Sequence, residues 1–348
     1  MPWSRITTDL IEPEQYADNA AGNRRLSYAE SINEALSQAL EIDPDVFVMG
    51  QGVDDPSGMF GATKGLQDKF GAQRVFDTPL AETALTGIAT GAAMAGMKPV
   101  YFHNRPDFLF LALDQIANHA AKWSYMFAGK VNVPLVIWAC IGRGWGSGAQ
   151  HSQALQAIFM HIPGVKLVMP SSCYDTKGLM LTAIKDPNPV VIIEHRMNFR
   201  NQGYVPEEMY AIPFGKGVTR RTGRDVTIVA VSHLVTESLL VAEKMSTEDG
   251  IDVEVVDPRT LCPLDEELIL ESVAKTGRLV VLDTGWRTAG VAAEIGCMVA
   301  EKGFYHLKAP VSRLTCPDLP TPSGYTLENA FYIDQNQIRE AILNVMSE

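Results

Sequence analysis

The sequence lacks the long apolar segments of a membrane protein and the cysteine pattern of a secreted one. No uninterrupted apolar run approaches the roughly 20 residues that cross a bilayer, and the N-terminus has no signal-peptide hydrophobic segment. The five cysteines are scattered, with no Cys-x-x-Cys pair among them. We therefore expect a cytoplasmic protein without membrane association, whose cysteines are reduced core thiols.

Positive charge is also scarce. Asp and Glu number 41 against 29 Lys and Arg, which gives a net charge of −12 at pH 7. A nucleic-acid-binding protein needs clustered Lys and Arg to meet the phosphates, so we expect no nucleic-acid partner. The glycine-rich stretches lack the spacing of a Walker or dinucleotide-binding loop.

Apolar strands alternate with helical patterns along the whole chain. Strands are predicted at residues 45–50, 75–77, 98–102, 133–140, 165–170 and 189–194. A helix is predicted from Asp107 to Ala128, between two of these strands. Strand–helix alternation of this kind indicates an α/β fold with a parallel sheet covered on both faces.

The 348 residues are enough for two domains of ordinary size. Residues 1–25 are polar and irregular and are predicted to form an arm. Residues 26–200 make a first domain, and 201–215, which break the alternation with Asn, Gly and Pro, are predicted to be a linker. The alternation resumes over 216–348, which indicates a second, smaller α/β domain.

The chain is organised around the stretch from Asp77 to Gly96, which is predicted to be a helix that starts after Pro79. Gly, Ala and Thr recur along it three to four residues apart, which predicts a face that another backbone can approach closely. Glu82 lies in its first turn without a nearby Lys or Arg. The residues alone leave two alternatives open: an exposed acid that interacts with the helix dipole, or a functional carboxylate.

The motif Asp-Thr-Pro-Leu-Ala-Glu, followed by Gly-Ile-Ala-Thr-Gly-Ala-Ala-Met-Ala-Gly-Met-Lys-Pro-Val, resembles a known helix. It is the pyrimidine-binding helix in the beta subunits of thiamine diphosphate-dependent 2-oxoacid dehydrogenase decarboxylases. These are enzymes of the pyruvate, branched-chain 2-oxoacid and acetoin dehydrogenase type. The resemblance runs from about Leu26 to the C-terminus. It implies a pyrimidine-binding domain of transketolase type followed by a smaller α/β C-terminal domain.

The resemblance implies a cofactor site in the first domain. Glu82 would be catalytic and would hydrogen-bond a ring nitrogen of the thiamine diphosphate aminopyrimidine. Phe108 would pack against that ring, and Leu80 and Gln51 are assigned to the same site. The alternative for Phe108 is an ordinary core aromatic residue.

A second candidate catalytic residue is His151, in Gln-His-Ser-Gln after a glycine-rich loop at residues 142–148. Polar residues that follow a strand in this way often form active sites in α/β proteins. The resemblance implies that His151 contacts the substrate or the acyl acceptor, which suits an imidazole that titrates near neutrality. A hydrogen-bonded loop histidine is the alternative.

Two positions bear on a proton network that some family members use. Asp114 matches an acid of that network, or pairs structurally. The family commonly has Glu where this chain has Gln51. Because Gln cannot carry the proton, the network is in doubt here.

The pocket residues also depart from the family. His103 and Asn104 stand where many relatives have apolar residues and a Glu, and Arg143 and Trp145 lie in an altered glycine-rich loop. These four side chains would make the substrate pocket more polar, or would face a subunit interface.

The segment around Ala183, Asp186 and Asn188 matches a family loop that binds a monovalent cation, K⁺ for example, mostly through backbone carbonyls. An ordinary helix-to-strand turn suits Asp-Pro-Asn equally well.

The family's Gly-Asp-Gly motif for Mg²⁺ and the diphosphate is absent from the sequence. The resemblance therefore implies a partner alpha subunit that holds Mg²⁺, in an α2β2 heterotetramer. The expected function is decarboxylation of a 2-oxoacid with acyl transfer to lipoamide on a lipoyl acyltransferase. One alternative is a thiamine diphosphate-dependent carboligase or lyase without a lipoyl partner. Another is a non-catalytic regulatory subunit, suggested by Gln51 and the altered loops.

Overall fold

The computed structural model describes Trp3, Ile6, residues 24–55 and residues 57–348. Two compact units divide the chain. The first comprises residues up to 141 together with 158–214, and the second comprises residues 142–157 together with 215–348. No helix among the described residues has the length and apolar character needed to cross a membrane.

The first unit is built on a sheet in which six of its strands stand in the order β6-β7-β5-β4-β2-β3. All of these pairs are parallel. The strands are β2 (Val46–Gly50), β3 (Val75–Phe76), β4 (Lys98–His103), β5 (Val136–Ile141), β6 (Lys166–Val168) and β7 (Val190–His195). Nearly all their side chains are buried, as expected of a parallel sheet covered on both faces. The parallel α/β sheet predicted from the alternation is confirmed.

Helices cover this sheet, and a small ribbon lies beside it. The helices from residue 24 to residue 214 are α1 (Tyr28–Ile42), α2 (Leu66–Phe70), α3 (Glu82–Met94), α4 (Ala121–Met126), α5 (Gln156–Met160) and α6 (Cys173–Lys185). The ribbon pairs β1 (Arg25–Ser27) with β8 (Gln202–Tyr204) in antiparallel fashion. At the start of α1, Ser27 and Glu30 form a reciprocal capping box, which explains why the helix begins there.

The segment predicted as one helix from Asp107 to Ala128 is divided. It contains a 3-10 helix (Pro106–Phe110), a π-helix (Gln115–Ala120) and then α4. The 3-10 helix follows from Pro106 in its first turn. Periodicity of apolar residues does not distinguish these helix types, which is why the sequence predicted a single element.

The segment predicted to be a linker packs on the first unit up to residue 214. The ammonium of the buried Lys177 donates to the carbonyl oxygens of Pro206, at 2.6 Å, and Glu207, at 3.2 Å. The ring of Tyr210 stacks on that of Tyr174 with centroids 4.2 Å apart. The chain leaves this unit between residues 214 and 215.

Most of the predicted N-terminal arm lies outside the described residues. Of the part that is described, Trp3 donates its indole N–H to Oδ2 of Asp43 at 2.7 Å. The ammonium of Lys98 lies 5.0 Å from the Trp3 ring centroid and 2.7 Å from the same Asp43 oxygen. These contacts tie Trp3 to the first unit.

The second unit has a five-stranded sheet in the order β14-β13-β10-β11-β9, parallel except for the β9 edge. Its strands are β9 (Val218–Arg221), β10 (Val226–Ala230), β11 (Val253–Asp257), β13 (Leu279–Trp286) and β14 (Ser312–Cys316), with a short β12 (Thr260–Cys262). Its helices are α7 (Leu234–Glu248), α8 (Glu266–Thr276), α9 (Val291–Lys302), α10 (Tyr325–Phe331) and α11 (Gln335–Ser347). A smaller second α/β unit is thus confirmed.

Candidate active site

Polar residues follow the strand ends at the carboxyl edge of the first sheet. Gln51 follows β2 and Asn104 follows β4, and these strands are neighbours. The Nδ2 of Asn104 donates to Oε1 of Gln51 at 3.0 Å. Gly50 permits this arrangement because a Cβ at that position would lie 2.4 Å from the Phe102 carbonyl oxygen. The structure thus brings Gln51 and Asn104 together.

Asp77 ties a third strand end to this edge. It directly follows β3, and its Oδ1 accepts the N–H of Gly52 at 2.7 Å. The turn that carries Gln51 is therefore joined to the chain that leads into α3.

Glu82 is the first residue of α3 and is half-buried. Within the described residues its carboxylate has neither a hydrogen bond nor an ion pair. Its charge does reach Tyr101 on β4: burial, and secondarily the Glu82 carboxylate, raise the pKa of Tyr101 to about 12. Glu82 is therefore a carboxylate at a helix N-terminus that the first unit leaves uncommitted.

The small-residue face of α3 is only partly covered. Thr86, Ala89, Thr90 and Ala93 are buried, whereas Gly91 is exposed and a Cβ there would meet nothing within 4 Å. Ile88 is 61% exposed, and Leu80, just before the helix, is 78% exposed. The stripe expected to approach another backbone is thus divided into a buried row and an open row.

Phe108 lies in the 3-10 helix that follows β4 and is half-buried. The hydroxyl of Thr83 in α3 donates to the carbonyl oxygen of Leu111 at 2.6 Å. This bond places the chain just after Phe108 against the first turn of α3, where Glu82 lies.

His103 ends β4 and is 4% exposed. Its ring lies 4.0 Å from that of Tyr101, and its Nε2 lies 3.5 Å from Oγ1 of Thr86. Burial lowers the pKa of His103 to about 3, so the imidazole is neutral at physiological pH. Within its own unit this side chain packs against α3 and does not face solvent.

Asp114 lies on the surface and makes contacts along its own helix. Its Oδ1 accepts from Nδ2 of Asn118 at 2.7 Å, and its Oδ2 lies 3.6 Å from Nε2 of His119. Both partners are within five residues, so the observed contacts are local.

The glycine-rich loop belongs to the second unit. The guanidinium of Arg143 lies over the ring of Tyr332, 5.3 Å from its centroid. Trp145 is 62% exposed. His151 is exposed, and its backbone N–H donates to the carbonyl oxygen of Gly148 at 3.4 Å.

The predicted cation segment forms the turn between α6 and β7. The carbonyl oxygen of Ala183 accepts the N–H of Asp186 at 3.2 Å. Oδ1 of Asp186 is 2.7 Å from the ammonium of Lys166 and accepts the N–H of Asn188 at 2.9 Å. The Oδ1 of Asn188 is buried without a hydrogen-bond partner. Nowhere in the described part of the chain do three or more His, Cys, Asp or Glu side chains cluster as metal ligands would.

Sequence patterns did not reveal Glu328, whose carboxylate accepts the N–H of Gly144 at 2.9 Å. The two residues are 184 positions apart, so no local pattern connects them. A single acidic residue in a short helix gave no signal of its own.

The family models that match the chain are those of the transketolase pyrimidine-binding domain, over residues 24–202, and the transketolase C-terminal domain, over residues 215–338. A solved split-gene transketolase, described as an inactive beta4 tetramer, has a TM-score of 0.74 and 22% identity. The match covers 92% of this chain and 98% of that one. At this identity the likeness establishes the fold, and the chain is a two-domain protein of transketolase type.

Individual relatives show to which family of transketolase-type proteins the chain belongs. The acetoin:2,6-dichlorophenolindophenol oxidoreductase subunit beta of Cupriavidus necator is 43% identical, over 93% of this chain and 98% of its own length. Pyruvate dehydrogenase E1 component subunit beta-1, mitochondrial, of Arabidopsis thaliana is 42% identical, over 92% and 88%. The 2-oxoisovalerate dehydrogenase subunit beta of Bacillus subtilis is 39% identical, over 91% and 97%. The chain therefore belongs to the beta subunits of the pyruvate, acetoin and branched-chain 2-oxoacid dehydrogenases, and the resemblance noted in the sequence is confirmed.

Proposed function

We propose that this beta subunit binds the aminopyrimidine end of thiamine diphosphate and, with an alpha subunit, decarboxylates a 2-oxoacid with acyl transfer to lipoamide. The observation that carries the proposal is the uncommitted carboxylate of Glu82 at the start of α3. A group that must share a proton with a ring nitrogen needs such freedom. The apolar side chains of Leu80 and Phe108 and the amide of Gln51 are proposed to hold the ring itself.

Thiamine diphosphate, when bound, supplies the carbon nucleophile and the electron sink for loss of CO₂. The residues of this chain orient it and manage protons. Glu82 holds a proton at its carboxylate toward the ring nitrogen, and Phe108 excludes water from the ring face. His151, exposed and in a loop, is proposed to hydrogen-bond the substrate or to pass a proton during acyl transfer.

The proposed assembly is an α2β2 heterotetramer in the cytoplasm. Because the sequence has no Gly-Asp-Gly motif, Mg²⁺ and the diphosphate are assigned to the alpha subunit. The relatives named above are beta subunits, which supports a partner of this kind. None of the five cysteines, all of which lie in the described part of the chain, forms a disulfide, which suits a reducing compartment.

A hydroxyketone such as acetoin is the second candidate substrate. It is favoured by the 43% identity to an acetoin oxidoreductase subunit beta. A substrate panel must therefore include acetoin beside pyruvate and branched-chain 2-oxoacids.

A monovalent cation, K⁺ for example, is proposed near Asn188. The buried Oδ1 of that residue lacks a partner and fits a cation that prefers oxygen ligands. Asp186 fits less well as a side-chain ligand because its carboxylate is paired with Lys166.

The test is to purify the tagged chain gently from its native host and to identify its partners by mass spectrometry. A Gly-Asp-Gly-bearing alpha subunit together with a lipoyl acyltransferase supports the proposal. The complex should then bind thiamine diphosphate in calorimetry and turn over one member of the substrate panel. An alpha subunit without an acyltransferase favours the carboligase or lyase, and the absence of any alpha subunit contradicts the proposal.

A further inference from the structure

The glycine-rich loop of the second unit is held by a distant buried carboxylate. The N–H of Gly144 donates to Oε1 of Glu328 on α10 at 2.9 Å. Glu328 is only 4% exposed. A carboxylate removed from water in this way needs hydrogen-bond donors, and a backbone N–H bonded to a charged acceptor makes a stronger bond than one to a neutral acceptor.

Two further residues near Glu328 in the sequence, Ser323 and Tyr332, also contact the loop. The ring of Tyr332 lies under the guanidinium of Arg143. A Cβ at residue 146 would lie 2.8 Å from the carbonyl oxygen of Ser323, and one at residue 148 would lie 3.3 Å from the Ser323 Cβ. The segment from Ser323 to Tyr332 therefore contacts the loop at residues 143, 144, 146 and 148.

The loop needs such contacts because of its composition. Glycines at 142, 144, 146 and 148 all have positive φ, at 130°, 107°, 61° and 70°. Glycine has the greatest backbone freedom of any residue, so a loop with this composition loses much conformational entropy when it is ordered. Two of the contacts to the loop involve a charged side chain: the cation–π contact of Arg143 with Tyr332, and the bond from the Gly144 N–H to Glu328. The bond to Glu328 is the one of these two that holds the loop by its backbone.

The loop leads directly to His151, whose backbone N–H donates to the carbonyl oxygen of Gly148. We propose that Glu328 is a positioning residue: through Gly144 it fixes the glycine-rich loop and so places His151 for the reaction. The chemical part of this inference rests on the function proposed for His151. The structural part, that Glu328 orders the loop, does not.

Hydrogen–deuterium exchange of the full chain tests the structural part directly. In Glu328→Ala, exchange of peptides that cover residues 142–151 should accelerate by about tenfold or more, because the loop loses its charged tether. Glu328→Gln keeps an oxygen acceptor and should stay within about threefold of the wild type. The matched control is Glu340→Ala, because Glu340 is exposed on α11 and lies outside the segment from Ser323 to Tyr332 that contacts the loop. Peptides from α7 provide the internal reference.

Turnover of the complex with the alpha subunit tests the chemical part. Glu328→Ala should lower kcat by about tenfold while the affinity for thiamine diphosphate is unchanged, and Glu328→Gln should recover most of the loss. A general loss of folding would lower both kcat and the affinity for thiamine diphosphate. A fall in kcat alone therefore distinguishes a positioning role from destabilisation.

Folded Glu328→Ala with wild-type exchange in the loop overturns the inference. So does faster exchange without any change in kcat or in the KM for substrate. If Glu328→Ala does not fold, Gly146→Ala replaces it, since its Cβ would collide with the Ser323 carbonyl and should displace the same loop. If the wild-type complex turns over no substrate, the proposed function fails, and the exchange experiment still decides whether Glu328 orders the loop.

Discussion

Two glutamates near the carboxyl ends of strands in the first sheet have opposite surroundings. Glu194 on β7 is fully buried and accepts hydrogen bonds from the hydroxyls of Tyr28 and, at 2.8 Å, Thr176. Glu82, which follows β3, is half-buried without a hydrogen bond or ion pair in the described chain. A carboxylate enclosed by donors of its own unit serves the fold, whereas one left open at a helix start is available to a ligand.

The largest expected effect separates the two carboxylates by activity. Glu82→Gln should lower turnover of the reconstituted complex by at least about 100-fold, because the amide cannot hold the shared proton. The free energy of unfolding should change by less than about 0.5 kcal/mol, because the Glu82 carboxylate makes no hydrogen bond or ion pair within the described residues. Steady-state kinetics and urea unfolding measure the two quantities, with Glu340→Gln as the exposed Glu-to-Gln control. Unchanged turnover would revive the hypothesis of a non-catalytic subunit.

Glu194 should give the opposite pattern. Glu194→Ala removes the acceptor of the Thr176 hydroxyl, leaves the Tyr28 hydroxyl only its longer bond to the carbonyl oxygen of Pro170 at 3.3 Å, and opens a cavity. The free energy of unfolding should therefore fall by about 3 kcal/mol. Turnover of the folded fraction should stay within about twofold. Urea unfolding measures the loss, and Glu340→Ala is the control. The comparison breaks if stability is unaltered or if kcat falls as it does in Glu82→Gln.

The pH dependence of stability sharpens the contrast further. Burial raises the pKa of Glu194 from 4.5 to about 7, so between these values the folded chain holds a proton that the unfolded chain releases. The contribution of this group to the free energy of unfolding therefore falls as pH rises from 4.5 to 7, by about 1 to 3 kcal/mol. The measurement is urea unfolding at several pH values for the wild type and Glu194→Gln, which should lack this decline.

The pH profile of the free energy of unfolding for Glu194→Gln must be subtracted from that of the wild type, because His103 changes this free energy with pH in the opposite direction. Its pKa falls from 6.5 to about 3 on burial, so its contribution is complete above pH 6.5 and is lost as pH falls toward 3. The variant retains His103, and the difference between the profiles therefore isolates Glu194. A difference that is flat from pH 4.5 to 7 would contradict the prediction that the buried Glu194 carboxyl group keeps its proton in the folded chain over this range.

Features set by neighbouring residues were predictable from the sequence. The start of α3 soon after Pro79 and the parallel strands of both units follow from local patterns of apolar residues and from a turn residue. The contact between Gln51 and Asn104 also follows in outline, because parallel strands end at one edge of a sheet.

Features that depend on distant residues were not predictable. Glu194 meets Tyr28 across 166 positions, and Gly144 meets Glu328 across 184. No rule of residue spacing connects positions so far apart. The sequence around a Glu in an apolar strand is the same whether or not a distant tyrosine donates a hydrogen bond to it. The division between 3-10, π and α helix over 106–126 was also missed, because all three share nearly the same apolar spacing.

The smallest expected effect concerns a third carboxylate, Asp114, which extends the comparison to the surface. Its observed partners, Asn118 and His119, lie within five residues of it, and its side chain is exposed to solvent. Asp114→Asn should therefore change kcat by less than about twofold and the free energy of unfolding by less than about 0.5 kcal/mol. Steady-state kinetics over a pH series would detect a role in proton transfer, with Asp249→Asn in the second unit as a paired-acid control. A tenfold fall in kcat would mean that this acid carries protons after all, even though Gln51 cannot.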